Sequence, residues 1–167
     1  KLFADGLHEP LGIIAEDNHT LVVMQRPELT RLRDTDGDGE ADHYQTISDQ
    51  FGMTGNYHEF AFGPARDKDG NYYVGLNLAS SGASIRPEVR GEFRHYGISR
   101  EQFYKNHKAG SGRMYSATPY RGWIMKIAPD GKTTPFASGF RSPNGVNFDA
   151  QGRLWATDNQ GDWLGTS

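Results

Sequence analysis

The chain has 167 residues, enough for one domain with a real core, yet only 35 % of them are hydrophobic, while glycine numbers 21 and aromatics reach 12 %. Many short strands joined by glycine-rich turns give that profile; long helices do not. A net charge of −3 exerts no global pull toward nucleic acid, the lack of cysteine excludes disulfides and thiol chemistry, and no apolar run is long enough to span a bilayer.

The chain opens at Lys1 with neither an initiator methionine nor a signal peptide, which implies a processed chain or a fragment. Its first segment belongs to an internal repeat. Gly6, Pro10, Gly12 and Leu21 coincide without a gap with Gly139, Pro143, Gly145 and Leu154, and hydrophobic positions coincide around them. In each copy a short strand, a turn rich in Asp, Asn or Gly, and a second short strand are expected.

Residues 28–33 and 43–48 alternate polar and apolar, which predicts two strands. Between them Asp34, Asp36, Asp38 and Asp42 stand at loop positions one, three, five and nine, with Gly39 at six. That spacing wraps a hard cation: alternate residues of a tight turn aim their oxygens inward, Gly39 makes the bend, and the Glu40 carbonyl fills position seven. Gln45 stands where an EF-hand would place a bidentate glutamate, and the flanks read as strands. The loop resembles the D-x-D-x-D-G-x-x-D calcium loops found between strands of propeller proteins. It implies a calcium ion acting as a structural staple, in a periplasmic or extracellular compartment where calcium is plentiful.

A looser third copy of the repeat runs through His58, Phe60 and Phe62 to Asp69, Gly70 and residues 71–74. Ile13 to Phe60 is 47 residues, the length of one four-stranded propeller blade; Phe60 to Val146 is 86, one blade plus an insertion. The expected fold is therefore an all-β propeller with about two and a half blades in 1–167: blade one over 6–50, blade two over 56–138 with an insertion at 79–120, and the start of blade three over 139–167. Residues 123–128 and 133–138 supply the outer pair of blade two. Two and a half blades cannot close a ring, so the remainder of a propeller is expected as the partner of this stretch. Residues 80–122 carry eight Lys and Arg, among them Arg90 and Arg121, against three Glu, and read as a cationic lid, a docking surface or a solvated excursion. Ser99, with Gln102 three residues on, predicts a capped helical turn.

Propellers hold ligands around the axis, where inner strands begin. His58 and Asn144 occupy equivalent positions just ahead of the core residues of their copies, with Arg141 slightly upstream, so all three are predicted to converge. The near-neutral pKa of a histidine suits it to accept a proton. Ends of second strands approach the same region. They offer Asn77 in blade two and, in blade three, the oxygen-rich run Asp158, Asn159, Gln160, Gly161 and Asp162, followed by the flat indole of Trp163.

These pieces, in order, resemble the quinoprotein sugar dehydrogenases, the glucose and sorbosone dehydrogenase-like propellers that use pyrroloquinoline quinone (PQQ). The resemblance is carried by His58 ahead of an inner strand, Asp69-Gly70-Asn71-Tyr72-Tyr73-Val74, Tyr120-Arg121-Gly122-Trp123, Gly139-Phe140-Arg141-Ser142-Pro143-Asn144-Gly145, and Asp158 through Asp162. The first fifty residues, with Gln25-Arg26-Pro27-Glu28-Leu29-Thr30 and the Asp-rich loop, look more like the large membrane-associated or cytochrome-linked dehydrogenase-like propellers of environmental bacteria. The resemblance implies oxidation of a sugar or polyol, with a cytochrome c as candidate electron acceptor. It implies His58 as general base, Arg141 beside quinone or substrate, and backbone oxygens at Gln160 and Gly161 near the quinone's calcium. Asn77, Asn144 and Trp163 complete the expected cofactor contacts. Ser142 stands where that family commonly has asparagine, and Asn77 where it has an acidic residue. Two other functions compete. The Pro143-Asn144-Gly145 segment also resembles calcium-dependent lactonase propellers, with Glu9 beside Pro10 as a metal ligand; and a propeller can serve purely as a binding scaffold.

Overall fold

The computed structural model describes residues 1–80, 89–92 and 114–159. The chain is all-β: among the described residues there are fourteen strands and no helix. The turn expected at Ser99 lies outside the described residues.

Strands β1 (Gly12–Ala15), β2 (Thr20–Met24), β3 (Leu29–Arg33) and β4 (His43–Ser48) form an antiparallel meander in that order. A second four-stranded antiparallel sheet is built from β6 (Ala61–Arg66), β7 (Tyr72–Leu76), β11 (Trp123–Ile127) and β12 (Thr133–Ser138), again in chain order. The chain between β7 and β11 leaves this sheet and returns to it. Its described parts pair locally, β5 (Met53–Thr54) with β9 (Val89–Arg90) and β8 (Ala79–Ser80) with β10 (Met114–Tyr115). Strands β13 (Pro143–Phe148) and β14 (Leu154–Asp158) make a final hairpin.

The second sheet is covered on both faces. Val22, Met24 and Leu29 of the first sheet pack with Tyr72, Val74, Leu76, Met125 and Ile127. On the other face Tyr73 and Ile124 pack against Val146, Phe148, Leu154 and Ala156 of the hairpin. Alternate residues of β7 serve the two cores, which is why 72–76 reads as a continuous apolar run and every residue in it is buried. Glycine sets the closest approaches: a Cβ on Gly12 would overlap the Gly63 carbonyl, and one on Gly75 would sit 2.7 Å from the Pro143 carbonyl oxygen. Strand β6 thus lies between β1 and β13, the first strands of their own units.

The hairpin turns share one device. Asp67 accepts the amides of Asp69 (3.0 Å) and Asn71 (2.8 Å), and Asp149 accepts those of Gln151 and Arg153 (both 2.9 Å). Such side-chain closure of a turn explains why Asp recurs at the head of each repeat's bend. Glu16 ties the two sheets together by receiving Arg31 Nε at 2.6 Å and the Tyr72 hydroxyl.

Two cations expected on the surface of the insertion are placed otherwise. Arg121 is only 1 % exposed and faces Glu59. Arg90 is half-buried, donates to the carbonyls of Phe51 (3.0 Å) and Pro27, and lies over the Phe51 ring. Arg90 points inward because its strand β9 pairs with β5, and Arg121 because Glu59 and the Phe60 carbonyl receive it.

Candidate functional site

His58 precedes β6, Asn77 directly follows β7, Arg141 and Ser142 precede β13, and Asn159 follows β14. Antiparallel hairpins bring strand starts and ends to one edge, so these residues converge. Together with Phe60, Phe62, Met114 and Asn144 they line a cavity of about 260 Å³. Backbone bonds fix the rim: Leu78 N donates to the Arg141 carbonyl (3.0 Å), Asn77 N to that of Phe60 (3.0 Å), and Asn159 N to that of Ser142 (3.2 Å). The Asp158 carboxylate accepts the amides of Arg141 (2.9 Å) and Ser142 (2.6 Å), so it orients the Arg141 turn without facing the guanidinium.

Three lining groups are sealed from solvent and make no hydrogen bond: His58 Nδ1, Asn77 Oδ1 and Arg141 Nε. A buried polar atom without a partner costs about 1–3 kcal/mol. These three border a cavity in which a ligand or ordered water can answer them, whereas Arg26 Nε, Glu59 Oε1, Thr118 Oγ1 and Arg121 Nε and Nη2, also without a hydrogen bond, belong to residues that do not line it. Burial, and then the positive charge of Arg141, hold the His58 pKa below its ordinary value. The imidazole is therefore neutral near pH 7 and able to accept a proton.

The loop bearing His58 is held from behind. Asn56 Oδ1 accepts His58 N at 3.1 Å and Ser80 N at 3.2 Å, and Asn56 Nδ2 returns a bond to the Ser80 carbonyl at 2.9 Å. Arg26 donates to the carbonyls of Thr54 and Asn56. Glu59 accepts Thr54 N at 2.6 Å, and Arg121 Nη1 reaches the Phe60 carbonyl at 3.4 Å. Sequence reasoning missed this scaffold, because its members are scattered along the chain and charged residues in loops read as solvated. Asn159, part of the oxygen-rich run expected to approach this region, does line the cavity, following β14 as Asn77 follows β7.

Of the residues selected from sequence, His58, Asn77, Arg141 and Asn144 share the cavity. Gln160, Gly161 and Trp163 lie outside the described residues. Glu9, the ligand the lactonase resemblance needs, is paired with Arg26 at 2.8 Å and does not line the cavity that holds Asn144. A larger cavity of about 630 Å³ opens between the second sheet and the final hairpin. Its acids are spent on structure. Asp67 bonds Asn71 and Tyr73, while Asp149 is held at a pKa of about 2 by the Trp155 indole and then the amide and side chain of Arg153.

The acidic loop presents a second centre. Carboxylate oxygens of Asp34, Asp36 and Asp38 lie within 4.8 Å of one another. The buried Asp34 accepts the amides of Gly37 (2.7 Å) and Gly39 (2.9 Å), and Gly39 takes the left-handed φ of 86° that the bend requires. Burial raises the Asp34 pKa, but the Gly39 amide, His19 and the Gly37 amide outweigh it and hold the group ionised. Asp42 stands apart from this trio, its two oxygens taken by the Thr35 amide (3.1 Å) and hydroxyl (2.6 Å). Glu40 N donates to Asp38 at 2.8 Å, and Lys1 lies beside both acids. A set of hard oxygens around a preformed turn fits calcium or a similar cation.

Residues 1–163 match the model of a family described as a domain of unknown function, DUF7133, and the chain belongs to that family. No curated protein matches it. Among the described residues, no helix is long and apolar enough to cross a membrane.

Proposed function

We propose that the two sheets and the hairpin are successive blades of a β-propeller, and that the His58–Arg141 cavity is the site of a quinoprotein-type dehydrogenase acting on a sugar or related polyol. The observation that carries this reading is the convergence of His58, Asn77 and Arg141 on one cavity, each with a sealed polar atom lacking a partner. The face-to-face stacking of the sheets, with first strands β1, β6 and β13 adjacent, supports the propeller.

Part of the donor set fits one edge of a carboxylated quinone: the outer N–H groups of Arg141 for a carboxylate, and Asn144 for a ring oxygen or N–H group. When bound, pyrroloquinoline quinone supplies the two-electron acceptor for the hydride of the alcohol carbon, so that the alcohol becomes a carbonyl and the quinone a quinol. His58, neutral and half-buried, accepts the hydroxyl proton. Arg141 stabilises negative charge that builds in the cavity. Asn56 and Arg26 keep the His58 backbone fixed, so reaction does not require the loop to reorganise. The acidic loop takes calcium as a staple of the first sheet, consistent with a periplasmic or extracellular setting, and a cytochrome c is the electron acceptor proposed for turnover.

The test is dye reduction by the purified protein after addition of the quinone and calcium, with sugars and polyols as substrates, followed by the quinol absorbance. Reduction that needs both quinone and alcohol supports the reading. Failure of the quinone to bind at all removes it.

A further inference from the structure

The polar groups of the cavity also state what the substrate must carry. Most arginines in the described chain are neutralised: Arg26 meets Glu9, Arg31 and Arg66 meet Glu16, Arg90 meets Asp49, Arg121 meets Glu59 and Arg153 meets Asp149, while Arg33, on β3 and away from the cavity, shares with Arg141 the lack of a carboxylate partner among the described residues. Arg141 is half-buried and has no carboxylate partner among the described residues, although Asp158 is next to its backbone. Its Nε is sealed from water without an acceptor. Among the described residues, no other lining residue is a Lys, Arg, Asp or Glu.

Next to this lone cation stands an unanswered acceptor. Asn77 is 4 % exposed, and its Oδ1 receives no hydrogen bond. His58 adds a third unpartnered atom, Nδ1, which exchanges a hydrogen bond with a hydroxyl in either tautomer. The complementary ligand has an oxyanion for Arg141 and at least one hydroxyl for Asn77 and His58. The volume of about 260 Å³ lies just under the roughly 300–1,000 Å³ of drug-sized pockets, which suits a monosaccharide-sized molecule. A single guanidinium matches a monoanion better than a phosphate dianion. Its five N–H groups suffice for two anionic neighbours, so an Nε–carboxylate contact is compatible with a quinone carboxylate at the other edge.

We propose that the substrate is a sugar acid, an aldonate or uronate whose carboxylate is bound by Arg141 and whose hydroxyls are read by Asn77 and His58. This rests on the dehydrogenase reading for the reaction but not for the binding. It distinguishes the site from one built for neutral sugars, because a half-buried cation with no counter-charge among the described residues favours a ligand that supplies one.

The experiment compares D-gluconate, D-glucose, glucose 6-phosphate and inorganic sulfate by calorimetric titration of the full chain at fixed ionic strength, without added quinone. Gluconate is expected to bind at least about tenfold more tightly than glucose. Arg141→Gln should lower gluconate affinity about 10–100-fold, the size of a lost charge-assisted hydrogen bond, and glucose affinity by much less. Arg141→Lys, which keeps the charge, should retain part of the preference and guards against misfolding of the glutamine variant. Glucose equal to gluconate, glucose 6-phosphate or sulfate stronger than gluconate, or an equal loss for both ligands in Arg141→Gln would each overturn the proposal. Dye reduction with quinone and calcium then separates the two claims. Oxidation of glucose but not gluconate leaves the dehydrogenase and removes the sugar acid; tight gluconate binding without any quinone-dependent oxidation does the reverse.

Discussion

Glu59 and Arg121 lie side by side with both side chains fully buried, Arg121 Nε 3.8 Å from Glu59 Oε1, directly behind the loop that presents His58. Burial pulls the Arg121 pKa down and the Glu59 charge pushes back. The pair is expected to be costly to break from one side. Arg121→Met leaves Glu59 as a buried, unbalanced carboxylate and should destabilise the fold by about 3–5 kcal/mol, read from the urea midpoint at constant slope. The double variant Arg121→Met/Glu59→Gln should recover much of that loss. A single variant as stable as wild type would show that the guanidinium is not a buried charge.

His58 gives a pH prediction of definite sign. Burial first, and Arg141 second, place its folded pKa below the ordinary 6.5. Between the folded pKa and 6.5 the unfolded chain binds more protons than the native one. The contribution of His58 to stability is therefore complete above about pH 6.5 and falls as pH drops toward the folded value. An NMR titration of the ring should show a midpoint under 6.5. In Arg141→Gln the midpoint should rise, though not fully to 6.5, because burial persists. In the quinone-dependent assay His58→Ala should lower turnover by about two to four orders of magnitude while quinone binding survives. Full turnover in His58→Ala would end its role as base.

Much of this arrangement was legible in the sequence because the repeat fixes register. Gly12 and Gly145, Pro10 and Pro143, and the Asp-headed turns mark the same points of successive hairpins, so residues just before or after a strand can be assigned to one edge. That is how His58, Asn77, Arg141 and Asn144 could be grouped without coordinates. What escaped depends on pairing across long separations. Arg121 reads as one more cation in a basic insertion, and only its juxtaposition with Glu59 and the Phe60 carbonyl explains its burial. Asp42 fits a ligand spacing, yet its bonds to Thr35 are a local alternative that spacing alone does not reveal.

Calcium should stabilise the first sheet through the acidic loop. At a concentration one hundred times its dissociation constant, a ligand specific to the native state adds about 2.7 kcal/mol. The melting midpoint is therefore expected to rise with calcium and fall with chelator. Asp36→Asn and Asp38→Asn are the informative variants, because both residues are exposed, whereas Asp34 also holds the amides of Gly37 and Gly39. Together they should abolish the calcium-dependent shift and leave the chelated midpoint nearly unchanged. A calcium response that survives both substitutions would place the ion elsewhere.

The spacing between the second sheet and the final hairpin governs the cavity, and Gly75 sets it. An added Cβ there would lie 2.7 Å from the Pro143 carbonyl and 2.8 Å from its ring carbon, rigid atoms that cannot step aside. Gly145 provides the contrast, since its nearest neighbour would be the Thr157 hydroxyl at 2.7 Å, the end of a side chain that can rotate. Gly75→Ala should thus force β7 and β13 apart at a cost of about 1–3 kcal/mol, the usual range for overpacking, while Gly145→Ala should cost less. The functional consequence follows from sequence distance. Asn77 is two residues beyond Gly75, and Arg141 is two before Pro143, so prising this contact open separates the two groups that are meant to hold one ligand. Gly75→Ala should therefore weaken gluconate binding even at temperatures where the protein remains folded, as checked by titration alongside a thermal melt. If Gly75→Ala binds gluconate as wild type does, the close approach of β7 and β13 is not what positions Asn77 against Arg141.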